Sequence, residues 1–287
     1  MRRLTVLSAG PLATFQDLGR PGYAHLGVPL SGAADRGALR QANRLVGNAE
    51  SAVAVETTLG GWSARAEGFT VLAVTGPATT VLIDGRGAGS HAVLGLRPGQ
   101  VIEVLAPPRG LRNYIAVRGG FAAPRTLGSA STDTLSGLGP PPLRAGDLLA
   151  VASEAGGWPV QTFVPGPPPA PAVYELQVRR GPRFDDLADP RVLTRVRWTV
   201  NPASNRIGVR LDAGGSDTAP RHRPDLPEQS SEGVPLGAVQ VPPSGQPVLF
   251  LADHPVTGGY PVAAVLTSQA VDRAAQLVPG DTVRLRF

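Results

Sequence analysis

The sequence predicts a mostly β protein with a few short helices, built in two halves. Three observations lead there. Among 287 residues there are 36 Gly and 30 Pro with no G-X-Y period, a density of turn residues that suits many short strands. Short runs rich in Val, Ile and Leu recur between those turns. Only two stretches carry a helical period. Hydrophobic residues make up 42% and charged residues 17%, enough apolar surface to form a core.

The start, Met1-Arg2-Arg3-Leu4-Thr5-Val6-Leu7, places a short apolar run after two arginines. That run is too short for a signal peptide, and Gln16, Asp17 and Arg20 follow it closely. No run approaches eighteen apolar residues, so no membrane span is expected and the expected location is cytoplasmic. A helix is predicted over 33–46, with Leu39, Ala42, Leu45 and Val46 on one face and Gly47-Asn48 at its end. Strands are predicted over 69–74, 79–84, 100–105, 112–117 and 147–151. No charge falls between Glu154 and Glu175, where Pro159, Pro165, Pro167, Pro168, Pro169 and Pro171 crowd together. Proline fixes φ, so this segment reads as an extended connector. The expected organisation is a first domain over 1–154, a Pro-rich linker over 155–172 and a second domain over 173–287. Strands in the second half are predicted over 173–179, 195–200, 238–241, 247–251, 261–266 and 282–287. A second helix over 269–277 follows Ser268 as N-cap and stops before Pro279-Gly280.

Two echoes link the halves. Leu96-Arg97-Pro98-Gly99-Gln100, Leu143-Arg144-Ala145-Gly146-Asp147 and Leu277-Val278-Pro279-Gly280-Asp281 each read as a tight turn feeding a strand. Gly27-Val28-Pro29-Leu30 recurs as Gly233-Val234-Pro235-Leu236. Convergent turn chemistry and two related barrel halves both account for them.

Composition excludes several chemistries. With no Cys, this chain has no disulfide, thiol nucleophile or Cys-ligated metal. It also has no Lys, so all 27 basic residues are Arg. That removes a Walker A loop, a pyridoxal Schiff base, a Ser–Lys dyad and a covalent biotin site from this chain. The net charge of +5 comes without a basic run, so nucleic acid is not an expected partner. His25, His91, His222 and His254 are scattered, so no metal site is expected. There is no G-x-S-x-G elbow.

Four segments are polar beyond what turns need. In the first, Gln16, Asp17 and Arg20 are held among glycines, and Asp17 either pairs with Arg20 or faces a ligand. The second holds Asn43 inside the predicted helix, Asn48 at its end, and Glu56 among Val53, Val55 and Leu59. Asn is a poor helix former, so Asn43 is expected to bond a neighbouring loop. Glu56 is either paired with an Arg or a base of raised pKa. In the third, Arg118-Gly119-Gly120 lets a ligand approach the backbone, and Leu127-Gly128-Ser129-Ala130-Ser131-Thr132 suits an anion nest. The fourth contains Asn205, Arg206, Glu228, Gln240, Asp253, Thr257 and Tyr260. Arg206 offers a planar fork for a carboxylate or phosphate. Gln240 either caps a buried group or reads a ligand amide.

Seven stretches in register resemble one family across nearly the whole chain. They are Gln16-Asp17-Leu18-Gly19-Arg20, Gly27-Val28-Pro29-Leu30-Ser31-Gly32-Ala33, Ala42-Asn43-Arg44-Leu45-Val46-Gly47-Asn48, Leu127-Gly128-Ser129, Ser204-Asn205-Arg206-Ile207-Gly208-Val209-Arg210-Leu211, Gly237-Ala238-Val239-Gln240-Val241-Pro242 and Thr257-Gly258-Gly259-Tyr260-Pro261. The family is the biotin-dependent carboxyltransferase-like one. It includes the 5-oxoprolinase C subunit, the sporulation Kip antagonist and the carboxyltransferase portion of urea amidolyase, once called allophanate hydrolase subunit 2. Phe15, Ile207 and His254-Pro255-Val256 depart from its usual pattern.

The resemblance implies two cyclophilin-like β-barrel domains with a ligand groove where they meet. It implies a C subunit that works with the A and B subunits of 5-oxoprolinase. Together they would open the lactam 5-oxoproline to glutamate, coupled to hydrolysis of ATP bound by the partners. Under that reading Arg118 or Arg206 takes the substrate carboxylate, and Asp17 or Glu56 positions water. Asn43, Asn205 and Gln240 bond the amide, and Gln16, Arg20, Ser129, Asp253, Thr257 and Tyr260 complete the binding set. Two alternatives stay open. One is a carboxyltransferase acting on urea or a similar amide, with biotin supplied in trans. The other is a Kip antagonist-type regulator that binds a protein like the B subunit.

Overall fold

A computed structural model describes residues 2–153, 156–214, 219–225 and 229–287. The chain divides into two compact units, and each draws on more than one stretch of sequence. Unit 1 is Met1–Arg20, Ser31–Asp133 and Gly137–Pro169; unit 2 is Pro21–Leu30, Thr134–Ser136 and Ala170–Phe287.

Among the described residues unit 1 holds eleven strands: β1 (Arg3–Ala9), β2 (Leu12–Gln16), β3 (Ala54–Thr58), β4 (Trp62–Ala66), β5 (Thr70–Thr75), β6 (Val81–Ile83), β7 (Arg86–Gly87), β8 (Val93–Leu96), β9 (Val101–Val104), β10 (Arg112–Val117) and β11 (Leu148–Ala150). They form a six-stranded sheet ordered β11-β1-β4-β9-β6-β7 and a five-stranded sheet ordered β2-β3-β10-β5-β8. All of their pairings are antiparallel. Leu4, Val6, Trp62 and Ile102 of the first sheet share one buried core with Phe15, Val55, Leu72, Val74 and Ile115 of the second.

Period-2 alternation turns Ala54, Ala73, Tyr114 and Ala116 to the other face of the five-stranded sheet, where they meet Ala38, Leu39, Ala42 and Leu45 of helix α1 (Arg36–Leu45). Three small residues there make room for the helix. The helix predicted from 33 begins later because Asp35 is the N-cap, its Oδ1 accepting from the Ala38 amide at 2.8 Å.

The Pro-rich segment, expected to be an extended connector, is bonded to the first half along part of its length. Residues 156–169 belong to unit 1, where the Val93 amide donates to Thr162 O and the Val164 amide to His91 O. The first predicted boundary, at Glu154, lies outside the described residues.

In unit 2, β12 (Tyr174–Arg180), β13 (Trp198–Val200), β14 (Gly208–Ala213), β16 (Ala238–Gln240), β17 (Val248–Phe250), β19 (Val262–Leu266) and β20 (Thr282–Arg286) close a seven-stranded barrel. A small hairpin pairs β15 (Glu232–Gly233) with β18 (Thr257–Gly258). Leu176, Trp198, Leu211, Val239, Leu249 and Leu285 fill the barrel. Helices α2 (Val192–Arg195) and α3 (Ser268–Ala274) pack on the same core through Leu193, Val271 and Ala274. The cap of α3 is Thr267, whose hydroxyl accepts from the Ala270 amide, and not the predicted Ser268. Arg195 belongs to α2, so the strand expected over 195–200 is shortened to 198–200.

The structure is thus mostly β with three short α-helices among the described residues, in line with the predicted class. Strands β1, β2, β3, β4, β7, β8, β14, β15 and β18 were not among those predicted. In β1, β4 and β14 the polar residues (Arg3 and Thr5, Ser63 and Arg65, Arg210 and Asp212) point away from the core and break up the apolar runs. No helix among the described residues is long and apolar enough to cross a membrane.

Candidate functional site

In unit 1 the first and third polar segments, more than a hundred residues apart, form one structure. Asp17, at the end of β2, is 3% exposed. The Ser129 and Ser131 hydroxyls each donate to its Oδ1 at 2.6 Å, and the Gly19 amide donates there at 2.8 Å. The Ala130 amide donates to Oδ2 at 2.8 Å, and Arg125 Nη1 lies 3.5 Å away. The anion in the predicted nest is therefore the chain's own Asp17. Arg20 does not pair with Asp17. It is buried, and its Nη2 donates to Ser131 O and its Nε to Thr126 O. Gln16, also buried, donates to Thr132 O at 2.9 Å. All three polar side chains of the first segment grip residues 126–132.

The turn they grip is tight. The Thr126 amide donates to Ser129 O and the Ser129 amide to Thr126 O. Leu127 and Gly128 between them have φ of 52° and 82°, both in the left-handed region, as type I′ requires.

The second segment holds α1 in place. Asn43 is fully buried, and its Nδ2 donates to Ala52 O at 2.8 Å and Glu50 O at 3.3 Å. It bonds a neighbouring loop, as expected of Asn in mid-helix. Asn48 donates to Asn43 Oδ1 and Val117 O and accepts from the Gly119 amide. Glu56, on the α1 face of β3, accepts at Oε2 from the Ala34 amide at 3.0 Å and the Tyr114 hydroxyl at 2.8 Å. Arg112 Nε lies 3.6 Å from its Oε1. The Tyr114 hydroxyl in turn accepts from the Asp35 amide at 2.8 Å. Burial, and then the Glu56 and Asp35 charges, push the Tyr114 hydroxyl well above the ordinary tyrosine range, so it stays protonated as a donor.

The Arg118 guanidinium is taken up by the backbone. Nη1 donates to Val46 O at 2.8 Å, Nη2 to Gly156 O at 2.7 Å, and the group lies over the Trp158 ring at 3.9 Å. The glycine that follows it serves the fold as well: a Cβ on Gly119 would sit 2.2 Å from Ala152 O. The close approach this Gly-Gly pair permits is by the chain's own backbone.

In unit 2, Arg206 and Asp253 form a buried bidentate pair, Nε to Oδ2 at 2.8 Å and Nη2 to Oδ1 at 3.0 Å. The Thr134 amide and hydroxyl also donate to Asp253 Oδ2, at 2.9 and 2.7 Å. Burial alone would raise the Asp253 carboxyl; the Arg206 charge and its hydrogen bonds, with those of Thr134, hold it below the usual carboxylate range. Asn205 Oδ1 accepts from the Ile207 amide at 2.8 Å and the Gly208 amide at 3.3 Å, which shapes an exposed turn. Gln240 faces outward from β16, opposite to Val239, and donates to Tyr260 O at 2.9 Å. Thr257 lies on β18 and Tyr260 just beyond it, both exposed. Glu228 lies outside the described residues.

Unit 1 therefore brings together Gln16, Asp17, Arg20 and Ser129, and separately Asn43 with Asn48, while Glu56 joins Tyr114 and Arg112. Unit 2 brings together Arg206 and Asp253, and Gln240 with Tyr260. Four residues that complete these groups were not singled out from sequence: Arg125, Arg112, Tyr114 and Thr134. Only Arg125 carried a signal, an arginine two residues ahead of Leu127-Gly128-Ser129.

The family model described as carboxyltransferase domain, subdomain A and B, matches residues 26–287. The 5-oxoprolinase C subunit of Haemophilus influenzae is 32% identical over 98% of this chain and 90% of its own length. The urea amidolyase of Saccharomyces cerevisiae is 31% identical over 96% of this chain but only 16% of its own length. The crystal structure of TTHA0988 superposes with a TM-score of 0.87 at 32% identity, covering all of this chain and 56% of that one. The present chain thus spans little more than half of TTHA0988 and a sixth of the yeast enzyme. With the family model matching residues 26–287 and full-length similarity to a C subunit, the chain belongs to the family of the carboxyltransferase domain, subdomains A and B.

Proposed function

We propose that this chain is the C subunit of an ATP-dependent 5-oxoprolinase and works with its A and B partner subunits, which bind the ATP. The observation that carries this reading is the match to a 5-oxoprolinase C subunit over nine-tenths of that relative's length. A lactam is a resonance-stabilised amide and a poor electrophile. Phosphorylating its oxygen makes that oxygen a leaving group. One water then adds as the ring C–N bond breaks, giving γ-glutamyl phosphate, and a second water displaces the phosphate to give glutamate, so that ATP ends as ADP and phosphate. This chain lacks Lys, so a phosphate loop of the Walker type would have to come from a partner.

Of the candidate side chains, Asp17, Glu56, Arg118, Arg206 and Asp253 are committed to partners within the chain. Asn205, Thr257 and Tyr260 are exposed in unit 2, and Gln240 stands beside Tyr260. The test combines the chain with both partner subunits, 5-oxoproline and ATP, and measures glutamate and ADP. Stoichiometric release of both is expected; absence of glutamate overturns the reading.

The family description and the yeast urea amidolyase favour a second reading, carboxyl transfer to urea from biotin carried in trans. Carboxylation of urea by this chain with a biotinylated carrier protein, and no turnover of 5-oxoproline, would select it.

A further inference from the structure

Arg125 and Leu127 stand at the tip of the turn that Asp17, Arg20 and Gln16 grip. Leu127 is 41% exposed and has a φ of 52°. A side chain with a Cβ is disfavoured there, and Asn or Gly is the usual occupant of such a turn position. An apolar residue is thus held in a costly conformation with its side chain in the open. Arg125 is 52% exposed; its Nη1 donates to Gly128 O at 2.9 Å and lies 3.5 Å from Asp17 Oδ2. Its Nε and Nη2 take no partner among the described residues. Those two groups form one edge of the guanidinium, the edge that grips a carboxylate with two parallel bonds. Asp17 does not depend on Arg125, because four other donors, the Gly19 and Ala130 amides and the Ser129 and Ser131 hydroxyls, already satisfy it within 2.8 Å.

The turn beneath is held more firmly than a two-residue hairpin requires. Two charged residues, Asp17 and Arg20, are almost completely desolvated to bond it. Such a supporting shell is what a preorganised recognition element needs. Arg118 and Arg206, the arginines expected to take a substrate carboxylate, are occupied elsewhere.

We infer that Arg125 is the carboxylate anchor of this chain and Leu127 the apolar contact beside it, together recognising a small cyclic amide that bears a carboxylate. The inference rests on the functional reading above and deepens it: 5-oxoproline has both features, a carboxylate and two ring methylenes.

The test is steady-state kinetics of the three-subunit complex with 5-oxoproline and with 2-pyrrolidinone, the same lactam without its carboxylate. Arg125→Gln is expected to raise KM for 5-oxoproline at least about tenfold, the worth of a charge-assisted hydrogen bond, and to leave 2-pyrrolidinone kinetics as in the wild type. Leu127→Asn keeps a residue that tolerates the left-handed region. It is expected to melt no lower than the wild type and still to raise KM for both lactams, a combination that a purely structural leucine would not give. A wild-type complex that does not turn over 5-oxoproline overturns the functional reading, and this assignment with it. Turnover by the wild type with an unchanged KM in Arg125→Gln overturns the assignment alone.

Discussion

The carboxylate of Asp17 accepts from Gly19, Ala130, Ser129, Ser131 and Arg125 while nearly sealed from solvent. Asp17→Asn puts an NH2 where an acceptor is needed and leaves buried donors unpaired. It is expected to cost about 3 kcal/mol in urea unfolding; a loss under about 0.5 kcal/mol, the range of a surface change, would contradict the geometry. Asp253 carries a pH dependence of definite sign. Its folded-state pKa lies below the ordinary value, so the unfolded chain takes up the proton first as pH falls. The stability it contributes is complete at neutral pH and is lost as pH drops below about 4, through the folded pKa. Asp253→Asn strands a buried guanidinium and is expected to cost about 3 to 5 kcal/mol at pH 7. The gap between the wild type and the variant should narrow in melts below about pH 4; a gap that widens in acid would reverse the sign.

At the level of elements, one helix end shows how strand alternation is used. On β3, Val55 enters the core between the sheets while Ala54 and Glu56 face α1. Glu56 and Tyr114 then take the Ala34 and Asp35 amides just ahead of the helix, whose first donors have no partner inside it. Tyr114→Phe removes the hydroxyl that joins Glu56 to the Asp35 amide. It is expected to cost about 1 to 2 kcal/mol and to speed hydrogen exchange at Asp35, while the β5 amides, on the neighbouring strand, stay protected. Equal acceleration across β5 would show that the hydroxyl supports the sheet and not the helix entry. The apolar face of α1 and the strand at Arg112–Val117 were legible in sequence, because period and β-branched content are local properties. The partner of Glu56 was not: Tyr114 is 58 residues away and reaches it only through the β3–β10 pairing.

Across the whole molecule, the division of the chain by sequence and by contact differ. Pro21–Leu30 and Thr134–Ser136 belong to unit 2 although they are encoded in the first half. Residues 170–287 expressed alone lack both segments, including the Thr134 amide and hydroxyl that bond Asp253. That fragment is expected to melt below the intact chain, and adding the first half as a separate polypeptide should recover part of the loss. A fragment as stable as the whole would mean that the two segments contribute nothing to the barrel.

The sequence by itself determined the β class, the two helices, the proline-rich stretch and the seven motifs that place the chain in its family, because composition, periodicity and turn chemistry act over a few residues. The tertiary structure decided what the motifs do. It turned the nest after Leu127 toward Asp17, assigned Arg118 and Arg206 to backbone and Asp253, and left the guanidinium edge of Arg125 open among the described residues. A charged side chain is free or committed according to which donors and acceptors the fold brings within about 3 Å, and those arrive from strands and loops tens to more than a hundred residues away.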